Sequence, residues 1–386
     1  MNSIEVDIAI VGAGVVGLWL LNVFSQQGYQ CVLVEKDAIG AGQTIRSQGI
    51  IHGGTKYALT GKLNRAAQSI ADMPVVWQAC LDGKGPVDLR VVQVLSQQHF
   101  MWSQGKYTAA LKNFIASKAL KSHSDVLKPD AHPDFFKHPE FSGSLCALNE
   151  TVVDVPSLLA ALAAPYRDKI LLGEAAFIDD TLHLVHAGTL LNIKAQKTLV
   201  TAGEGAEQLC STFTDAPKMQ CRPLHMVWAR FPEYDPVKQV FVHGVVSGSK
   251  PEFTITSHRD AQGHSVWYIG GEVAETGMTR NAKAQIAHTQ QVLSQFMPWV
   301  NFEGVQWGTD HVNRAELAQS GGKRPDSFAV CPTQRAVVIW PTKLALTPAV
   351  AHSVQNLLVG LHASASIVDI NWPTVPLAQP LWANKH

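Results

Sequence analysis

Three glycines and one glutamate near the start of the chain have the types and spacing that bind dinucleotide phosphates. Gly12, Gly14 and Gly17 form the pattern GxGxxG, and Glu35 follows 18 residues after the last of them. The first glycine permits a tight turn, the second lets the backbone approach a pyrophosphate, and the third lets a helix pack closely on a strand. A glutamate at this distance can accept hydrogen bonds from a ribose diol. The pattern therefore predicts a dinucleotide site.

The residues around these glycines predict the strand, helix and strand that such a site needs. Residues 7–11 form a short apolar run, and apolar residues recur every three or four positions over residues 15–27. Gly28 is suited to end that helix, and residues 29–34 have the pattern of a second strand ending at Glu35. The helix N-terminus would direct free N–H groups at the phosphates. A lone GxGxxG is weak evidence, but in this context the pattern is specific.

The same segment raises the alternative of a membrane protein. Residues 8–34 contain no charged side chain, and this length could span a bilayer as a helix. Four glycines interrupt the stretch, and Gln26, Gln27 and Gln30 would lie in lipid. We therefore expect no transmembrane segment.

The composition is that of a large chain with few charges. Its 386 residues include 31 Lys and Arg against 31 Asp and Glu, and 46% are apolar. At about 150 residues per domain, this length predicts two or three domains. With zero net charge, the chain lacks the excess of basic residues that nucleic-acid-binding proteins carry. Its apolar content is too high for a disordered chain.

Cysteine and histidine spacing, and the N-terminus, set further limits. The six cysteines include no CxxC pair, and HxH and HExxH motifs are absent, so we expect neither a disulfide framework nor a metal site. The acidic N-terminus lacks the basic region of a signal peptide. We expect a cytoplasmic location, with peripheral contact with the inner face of the membrane as an alternative.

A second glycine-rich segment resembles a known family. Residues 40–54, GAGQTIRSQGIIHGG, are similar to the second flavin-contacting segment of the D-amino-acid oxidase/glycerol-3-phosphate dehydrogenase (DAO) superfamily. In that family a loop rich in Gly, Ser and Thr runs beneath the pyrophosphate and ribityl chain of FAD. The resemblance therefore implies FAD rather than NAD as the cofactor.

Later segments match the same family in the same order. Residues 149–162 resemble the stretch that re-enters the FAD domain, residues 169–178 the strand beside the adenine, and residues 197–203 a third motif against the cofactor. Residues 222–228 resemble the opening strand of the substrate domain, and residues 267–272 resemble a later one.

The resemblance implies an α/β fold with a discontinuous Rossmann-like FAD-binding domain and a second, mainly antiparallel β-sheet substrate domain. Because three separated flavin motifs must converge, the FAD domain is expected to comprise residues 1–75, 150–215 and 325–386. Residues 76–149 and 216–324 would form the substrate domain. Its pattern predicts strands and one amphipathic helix. The strands are expected at residues 222–231, 239–246, 252–257 and 266–270, and the helix at residues 281–296.

The glycine motif and the resemblance together assign the cofactor site. The expected FAD contacts come from the glycine loop, the acid after the second strand, the second glycine-rich loop, the adenine strand, the third motif and a C-terminal turn. They are Gly12, Ala13, Gly14, Val15, Val16, Gly17, Glu35, Lys36, Gln43, Thr44, Arg46, Ser47, Gly49, Ala176, Ala202, Gly203, Lys343 and Leu344.

The C-terminal turn departs from the family pattern. The family's GHgxxG turn has no match, and residues 360–366 have the sequence GLHASAS instead. Residues 340–348 are a second candidate for a turn facing the flavin. Thr347 and Pro348 are suited to be the N-cap and first residue of a helix over residues 349–358. The positive end of that helix could stabilise negative charge on the flavin ring; an ordinary capped helix is the alternative.

His52 is the first candidate catalytic residue. It lies in Ile-Ile-His-Gly-Gly, where the family's chain passes the flavin. An imidazole there could take a hydroxyl or amine proton while hydride leaves the substrate. A histidine that only bonds backbone or cofactor is the alternative, and covalent attachment of the flavin is a third.

Two further candidates belong to the substrate domain. Arg324 resembles the family position whose arginine clamps a substrate carboxylate, and Arg314 competes for that role. A surface loop in which Lys323 and Arg324 are solvated is the alternative. Tyr268 lies on a predicted strand and could line the substrate pocket. The same holds for His225 and His258, and for each of the three a packing or surface residue is the alternative.

The sequence thus predicts an FAD-dependent oxidoreductase that transfers hydride to flavin N5 from a carbon bearing a hydroxyl, in a 2-hydroxy acid or a compound like glycerol 3-phosphate. Residues 52–57, HGGTKY, resemble the HGGxRY of that branch. Alternatives are an FAD-dependent amine or amino-acid oxidase, a flavoprotein without turnover of a small metabolite, and an NAD-binding protein. The expected partners are a small-molecule substrate and oxygen or a quinone as electron acceptor, without nucleic acid.

Overall fold

The computed structural model describes residues 2–53, 70–104, 124–179, 181–245, 250–363 and 371–383. In this part of the chain the strands form two eight-stranded sheets and one two-stranded sheet. The strands are β1 (Asn2–Val11), β2 (Cys31–Glu35), β3 (Val94–Ser96), β4 (His99–Ser103), β5 (Ser124–Val126), β6 (Ser144–Leu148), β7 (Val152–Val153), β8 (Ile170–Leu172), β9 (Glu174–Ile178), β10 (Thr181–His186), β11 (Thr189–Val200), β12 (Met219–Arg230), β13 (Val242–Val245), β14 (Phe253–Arg259), β15 (Ser265–Gly270), β16 (Gln306–Leu317), β17 (Ala329–Pro332) and β18 (Val337–Trp340). The α-helices are α1 (Val15–Gln26), α2 (Met73–Leu81), α3 (Val155–Ala163), α4 (Ala206–Leu209), α5 (Glu272–Glu275), α6 (Ala282–Phe296) and α7 (Thr347–Leu357).

The first sheet is mainly parallel, with the order β17-β18-β11-β1-β2-β8. The strands from β18 to β8 run parallel to one another, while β17 is antiparallel at one edge. Helices α1, α3 and α7 pack on one face, and the β9–β10 hairpin covers the other. Both faces of β1 and β2 are covered where the two strands pair, and residues 8–11 and 31–34 there are continuous apolar runs.

The uncharged stretch over residues 8–34 is divided among β1, α1 and β2. Helix α1 has only 12 residues. The chain turns before it at Gly12 and after it at Gly28, with φ angles of 106° and 90° that favour glycine. Among the helices described, none has both the length and the apolarity to cross a membrane.

The second sheet has the order β16-β12-β15-β14-β13-β4-β6-β5, and its strands are antiparallel except for the β13–β4 pair. Successive residues on a strand point to opposite faces. Val227 and Trp267 pack with helix α6 on one face, whereas Met226 and Tyr268 belong to a cluster on the other. Asn281 caps α6 by accepting a hydrogen bond from the Ala284 N–H at 2.9 Å. These two sheets confirm the expected fold class.

Residues 76–92 pack with the first sheet, although the sequence analysis placed them in the second domain. Trp77 and Cys80 of α2 are buried in the core of the first sheet, and Val87 and Leu89 after the helix join them. The Trp77 Nε1–H also donates to the Ala345 carbonyl at 3.0 Å. The apolar side of α2 therefore lies against the elements that precede α7, and the chain enters the second sheet only at β4.

Helix α7 starts differently from the prediction. Thr347 is its first residue and Leu346 its N-cap, so the assignment of Thr347 as N-cap and Pro348 as first residue is wrong. The physical reason is that a 3-10 turn over Leu344–Leu346 continues directly into the helix. The Thr347 hydroxyl donates to the Leu344 carbonyl at 2.8 Å instead of accepting from an amide. In the C-terminal segment GLHASAS, residues 364–366 lie outside the described residues.

Candidate active site

Three adjoining cavities form a groove between the two sheets. The outer cavity, of about 400 Å³, lies beside β9 and is lined by Ala176. The middle cavity, of about 670 Å³, lies over the glycine loop. The inner cavity, of about 450 Å³, reaches the second sheet. Glu35 and Lys36 line both the outer and middle cavities, while Thr44 and Arg46 line both the middle and inner ones. The three cavities are therefore neighbours along the groove.

The glycine loop presents backbone to the middle cavity. A Cβ at Gly12 would lie 2.7 Å from the Thr201 carbonyl oxygen, and a Cβ at Gly17 would overlap the Gly12 carbonyl oxygen. The loop and α1 are therefore in closer contact than any larger residue permits. The Val15 N–H, at the start of α1, donates to the Thr44 hydroxyl at 3.1 Å, so both glycine-rich loops meet at the positive end of this helix.

Glu35 lies where the outer and middle cavities join. One carboxylate oxygen accepts from the Ala13 N–H at 2.8 Å and the other from the Asp37 N–H at 3.1 Å. Burial raises the pKa of Glu35. A carboxylate fixed in this way at the end of β2 has the position and acceptor capacity to bind a ribose diol.

Most of the predicted cofactor residues line the groove. Fifteen of them do, from all three cavities: Gly12, Gly14, Val15, Val16, Glu35, Lys36, Gln43, Thr44, Arg46, Ser47, Ala176, Ala202, Gly203, Lys343 and Leu344. The other three predicted residues line none of the three cavities. Ala13 holds Glu35, Gly17 packs on Gly12, and the Gly49 carbonyl accepts from the Val153 N–H at 3.0 Å.

The groove fits FAD. Its middle part offers backbone amides at a helix N-terminus for a pyrophosphate, and Glu35 lies beside the outer part, where an adenosine would extend. The inner part is walled by apolar side chains, Leu224, Met226, Val312 and Leu344 among them, as a flavin ring requires. The cradle at Gly12 and Gly17, which a Cβ would fill, is the structural observation that supports this fit.

Charged side chains of both signs line the inner cavity. The cations include Arg314, Arg324 and Lys250, and the anions are Glu272 and Glu275. Arg314 Nη1 lies 3.6 Å from Glu275 Oε1, and Lys250 Nζ lies 3.1 Å from Glu275 Oε2. Burial, followed by the charge of Arg222, lowers the pKa of Arg314 to about 10. The wall of the inner cavity therefore offers both positive and negative side chains to a charged ligand.

The predicted flavin-facing turn supplies another part of the inner wall. Thr342 and Lys343 both line the cavity, and the Nζ atom of Lys343 is buried. Thr342 has a φ of 59°, a left-handed conformation that is unfavourable for a β-branched residue. Such backbone strain is concentrated at ligand sites, where the surrounding structure maintains it. Lys343 is thus held in place by a strained turn.

His52 lies four residues after Gln48, which lines the inner cavity, but among the residues described His52 does not itself line any of the three cavities. Gln48, on the wall, donates to the carbonyls of Thr254 at 2.9 Å and Tyr268 at 3.0 Å, fastening the loop to the second sheet. The side chain of His52 is 25% exposed, and its Nδ1 lies 3.2 Å from Oε2 of buried Glu150. Residues 54–57 of HGGTKY lie outside the described residues.

Tyr268, His225 and His258 are packed away from the groove. The Tyr268 hydroxyl donates to the Arg46 carbonyl at 3.0 Å, and burial raises the pKa of this tyrosine. Nδ1 of His225 lies 3.0 Å from the Gly277 carbonyl. Burial lowers the pKa of His258 to about 3. All three side chains are at most 4% exposed, so in this structure their contacts are those of packing residues.

Sequence reasoning missed Glu150, His243, Glu272 and Glu275. Glu272 and Glu275 follow β15, and the sequence around them does not distinguish them from acidic residues on the surface. Glu150 carried a weak signal, because it stands between the apolar runs of β6 and β7, where a charged side chain is unusual. Its partner His243 comes from a strand about 90 residues further along the chain, so no spacing rule could reveal the pair.

Comparisons with known proteins agree with this geometry. The model of the DAO family, described as FAD dependent oxidoreductase, matches residues 7–329. The probable FAD-dependent oxidoreductase PA4991 of Pseudomonas aeruginosa is 41% identical over 389 residues, covering 99% of this chain and 98% of that protein. In its crystal structure, aligned at 36% identity, the same coverage is found with a TM-score of 0.85.

More distant relatives differ in the substrates they are named for. The aerobic glycerol-3-phosphate dehydrogenase of Staphylococcus saprophyticus is 26% identical over 107 residues, 28% of this chain and 18% of that protein. Glycine oxidase from Geobacillus kaustophilus shares the fold, with a TM-score of 0.69 at 15% identity over 95% of this chain and 100% of that one. Substrate class is therefore not given by these relatives. The chain belongs to the DAO family of FAD-dependent oxidoreductases, and FAD is its cofactor.

Proposed function

We propose that this oxidoreductase acts on a carbon bearing a hydroxyl group in a small anionic substrate, a 2-hydroxy acid or a compound like glycerol 3-phosphate. FAD, when bound, supplies the hydride acceptor at flavin N5. The observation that carries the proposal is the pairing of His52, four residues after Gln48 on the inner wall, with the buried carboxylate of Glu150. A hydroxyl must lose its proton when its carbon loses hydride, so this substrate class needs such a base.

Arg324 and Arg314 are the proposed binding groups for the substrate's acid function. Both line the inner cavity, and a guanidinium can donate two parallel hydrogen bonds to a carboxylate or phosphate. Arg314 is half-buried, which strengthens its contacts because less water competes for them, whereas Arg324 is exposed. In this proposal the arginines fix the substrate while His52 receives its proton, and Lys343 adds positive charge to the same wall.

A second candidate function is oxidation of an amine or amino acid. The observation that favours it is the presence of Glu272 and Glu275 on the same wall as Arg314 and Arg324. An α-amino acid carries both an ammonium and a carboxylate, and a wall with both signs of charge could bind each of them. Glu275 is already paired with Lys250 at 3.1 Å and Arg314 at 3.6 Å, which reduces its capacity for a further cation.

An anaerobic reduction assay tests both candidates. Purified holoprotein is mixed with sn-glycerol 3-phosphate, D- and L-lactate, glycine, and D- and L-alanine, and the loss of flavin absorbance is followed. Bleaching by a hydroxy compound supports the first candidate. Bleaching by amino acids alone replaces it with the second, and no bleaching by any compound contradicts both and leaves a flavoprotein without this turnover.

The role of His52 has its own test. His52→Ala should slow flavin reduction by about 10²-fold or more, the range that a general base contributes. His352→Ala, at an exposed position on α7, is the matched control and should reduce at the wild-type rate. An unchanged rate in His52→Ala would exclude this imidazole as the base.

The electron acceptor is proposed to be oxygen or a quinone. Reoxidation of the substrate-reduced protein by air-saturated buffer and by a soluble ubiquinone analogue distinguishes the two. A quinone-linked enzyme would also require peripheral contact with the inner face of the membrane, which a vesicle co-sedimentation assay would detect. Fast reaction with oxygen and no vesicle binding would support the cytoplasmic alternative.

A further inference from the structure

We infer that Glu150 is a positioning residue, which fixes the His52 imidazole with its hydrogen on Nδ1 and leaves Nε2 available to take the substrate proton. The inference rests on the proposed role of His52 as the base. It concerns a carboxylate that lines none of the three cavities and acts only through the imidazole beside it.

Glu150 lies between two strands that belong to different sheets. It follows β6 of the second sheet and precedes β7, and its backbone N–H donates to the Leu148 carbonyl at 2.8 Å. Its side chain is 1% exposed, and Oε2 lies 3.2 Å from His52 Nδ1 and 3.7 Å from His243 Nε2. One oxygen thus faces two imidazoles from different elements.

The ionisation of Glu150 determines the direction of the hydrogen bond. Burial by itself would raise the pKa of this carboxyl, but the charges of and hydrogen bonds from His52 and His243 hold it well below its usual range. An ionised carboxylate can only accept hydrogen bonds. The hydrogen between Glu150 and His52 must therefore belong to Nδ1, and in the neutral ring the lone pair is then on Nε2.

His243 faces the same carboxylate oxygen, and its ring stacks with that of His52 at a centroid distance of 6.0 Å. Its ring is fully buried, its Nδ1 lies 2.8 Å from the Thr254 hydroxyl, and it lies over the His99 ring with centroids 4.0 Å apart. In the described residues the titratable groups facing Glu150 are His52 from the loop and His243 from β13, with His99 of β4 behind His243. Thr254 also lines the inner cavity, so this polar cluster abuts the proposed substrate site.

A metal ion is the competing explanation of the same cluster. Ligand atoms of His52, Glu150 and His243 lie within 4.8 Å of one another. Ligands around tetrahedral zinc are separated by about 3.3 Å. Glu150 Oε2 lies at similar distances from His52 Nδ1 and His243 Nε2, 3.2 and 3.7 Å. The hydrogen bond is favoured because it accounts for the 3.2 Å separation of His52 Nδ1 and Glu150 Oε2 without any further ligand. The two explanations differ in metal content, which the experiment below measures.

The test uses holoprotein labelled with ¹⁵N-histidine, and it needs no substrate. Long-range ¹H–¹⁵N spectra report which ring nitrogen of each of the 16 histidines carries hydrogen, and His52→Asn identifies the His52 signals by their loss. We expect hydrogen on Nδ1 of His52 in the wild type and a shift toward Nε2 in Glu150→Gln. Hydrogen on Nε2 in the wild type, or an unchanged tautomer in Glu150→Gln, would overturn the inference.

Asp260→Asn is the matched control. Asp260 is also a buried carboxylate beside a histidine, with Oδ2 2.8 Å from His264 Nδ1, but it lies in the turn between β14 and β15. The His52 signals should be unchanged in this variant, and equal changes in both variants would contradict a local effect of Glu150. Elemental analysis accompanies the spectra: one equivalent of a divalent metal in the wild type, lost in Glu150→Gln, would replace the inference with a metal site.

Kinetics separates this inference from the proposed function. With the compound that bleaches the flavin, Glu150→Gln should slow reduction by about 10²-fold. It should also move the acid limb of the pH profile to lower pH, because an imidazolium without its carboxylate gives up its proton more readily. A rate loss without this displacement indicates a merely structural role and contradicts the inference. If the spectra show the fixed tautomer but His52→Ala reduces normally, the proposed base is wrong while the contact stands.

Discussion

On the side of the first sheet the groove passes the glycine loop, at Gly12, Gly14 and the start of α1, whereas the second sheet lines it with larger residues such as Arg314 and Met226. Backbone amides recognise a pyrophosphate in the same way whatever side chains surround them. Charged side chains recognise a ligand only if their identity and position suit it. We therefore expect the first-sheet side of the groove to bind the cofactor and the second-sheet side to select the substrate.

The two sheets also differ in what they bury. Among the described residues, the buried histidines and carboxylates in or beside the second sheet are His99, His132, Glu150, His225, His243, His258, Asp260 and Glu316. In or beside the first sheet, of those described, only Asp7 belongs to this group. Ionisable groups are costly to bury unless they are paired or neutral. We therefore expect variants of the first sheet to affect FAD retention and variants of the second to affect substrate and pH response.

The largest effect is expected for Gly17→Ala in helix α1, which packs on the first sheet. The added Cβ would overlap the Gly12 carbonyl oxygen and lie 2.7 Å from the Thr201 hydroxyl, so α1 must move away from the glycine loop. Overpacking of this kind costs about 1–3 kcal/mol, and we expect FAD affinity to fall by roughly 10- to 100-fold. The measurement is reconstitution of the apoprotein with FAD, followed by flavin fluorescence.

Gly28→Ala controls for a general effect on the helix. Gly28 lies at the other end of α1 with a φ of 90°, and a Cβ there meets nothing within 4 Å. It should lower stability by about 1 kcal/mol through backbone strain but leave FAD affinity unchanged. If both variants lost FAD equally, helix stability rather than contact with the loop would account for binding.

Arg324→Gln in the second sheet's wall should have the next largest effect. Loss of a charged hydrogen-bond donor costs about 1.5–3 kcal/mol, so the dissociation constant of the reducing compound should rise about 10- to 100-fold. FAD content should stay at the wild-type level. Titration of flavin absorbance under anaerobic conditions gives both quantities.

Arg259→Gln is the matched control for Arg324. Arg259 is an exposed arginine at the end of β14, stacked 3.9 Å from the Tyr234 ring centroid, and it lines none of the three cavities. Its replacement should leave substrate affinity unchanged. Loss of FAD in Arg324→Gln would contradict the division between the two sheets.

The same division explains what could be predicted from the sequence. The first sheet's site depends on local order, since Gly12, Gly14, Gly17 and Glu35 fall within one strand–helix–strand unit whose pattern is visible in the chain. The inner wall is assembled from distant strands that each contribute one or two residues. Arg314 and Glu275 could be named only by resemblance or not at all, because their proximity depends on the pairing of β12 with β15 and β16.

The pH dependence of stability is a third way to test the difference between the two sheets in the ionisable groups that they bury. The folded-state pKa of His258 is about 3, below its unfolded value of about 6.5. Below pH 6.5 the unfolded chain therefore binds a proton that the folded chain does not. Stability from this group is complete above pH 6.5 and falls by up to about 1.4 kcal/mol per pH unit as the pH falls toward 3.

Urea unfolding of holoprotein between pH 7 and pH 5 measures this slope. His258→Gln should flatten it, even if the variant is less stable at every pH, because glutamine cannot take up the proton. His352→Gln, at the exposed position on α7, should retain the wild-type slope. An identical slope in His258→Gln and the wild type would show that acid sensitivity arises elsewhere than at this buried histidine.

The smallest effect is expected where the two sheets are joined. Arg46 Nε donates to Asp310 Oδ2 at 2.5 Å, and both side chains are about a quarter exposed, at 28% and 23%. Arg46 also donates to the carbonyls of Ala41 and Gly42, so the pair ties the second glycine-rich loop to β16. Asp310→Asn keeps the size of the side chain and removes its charge, and it should lower stability by about 1 kcal/mol.

Thermal unfolding of the holoprotein, with the FAD-to-protein ratio measured in parallel, checks this value. The loop keeps its other anchors, including the Gln48 contacts with β14 and β15, so FAD content should be unchanged. Asp88→Asn is the control, since Asp88 pairs with Arg90 within one exposed segment and should show no measurable change. If Asp310→Asn released FAD as Gly17→Ala does, a side chain of the second sheet would share in cofactor binding, and the division between backbone and side-chain recognition would fail at this point.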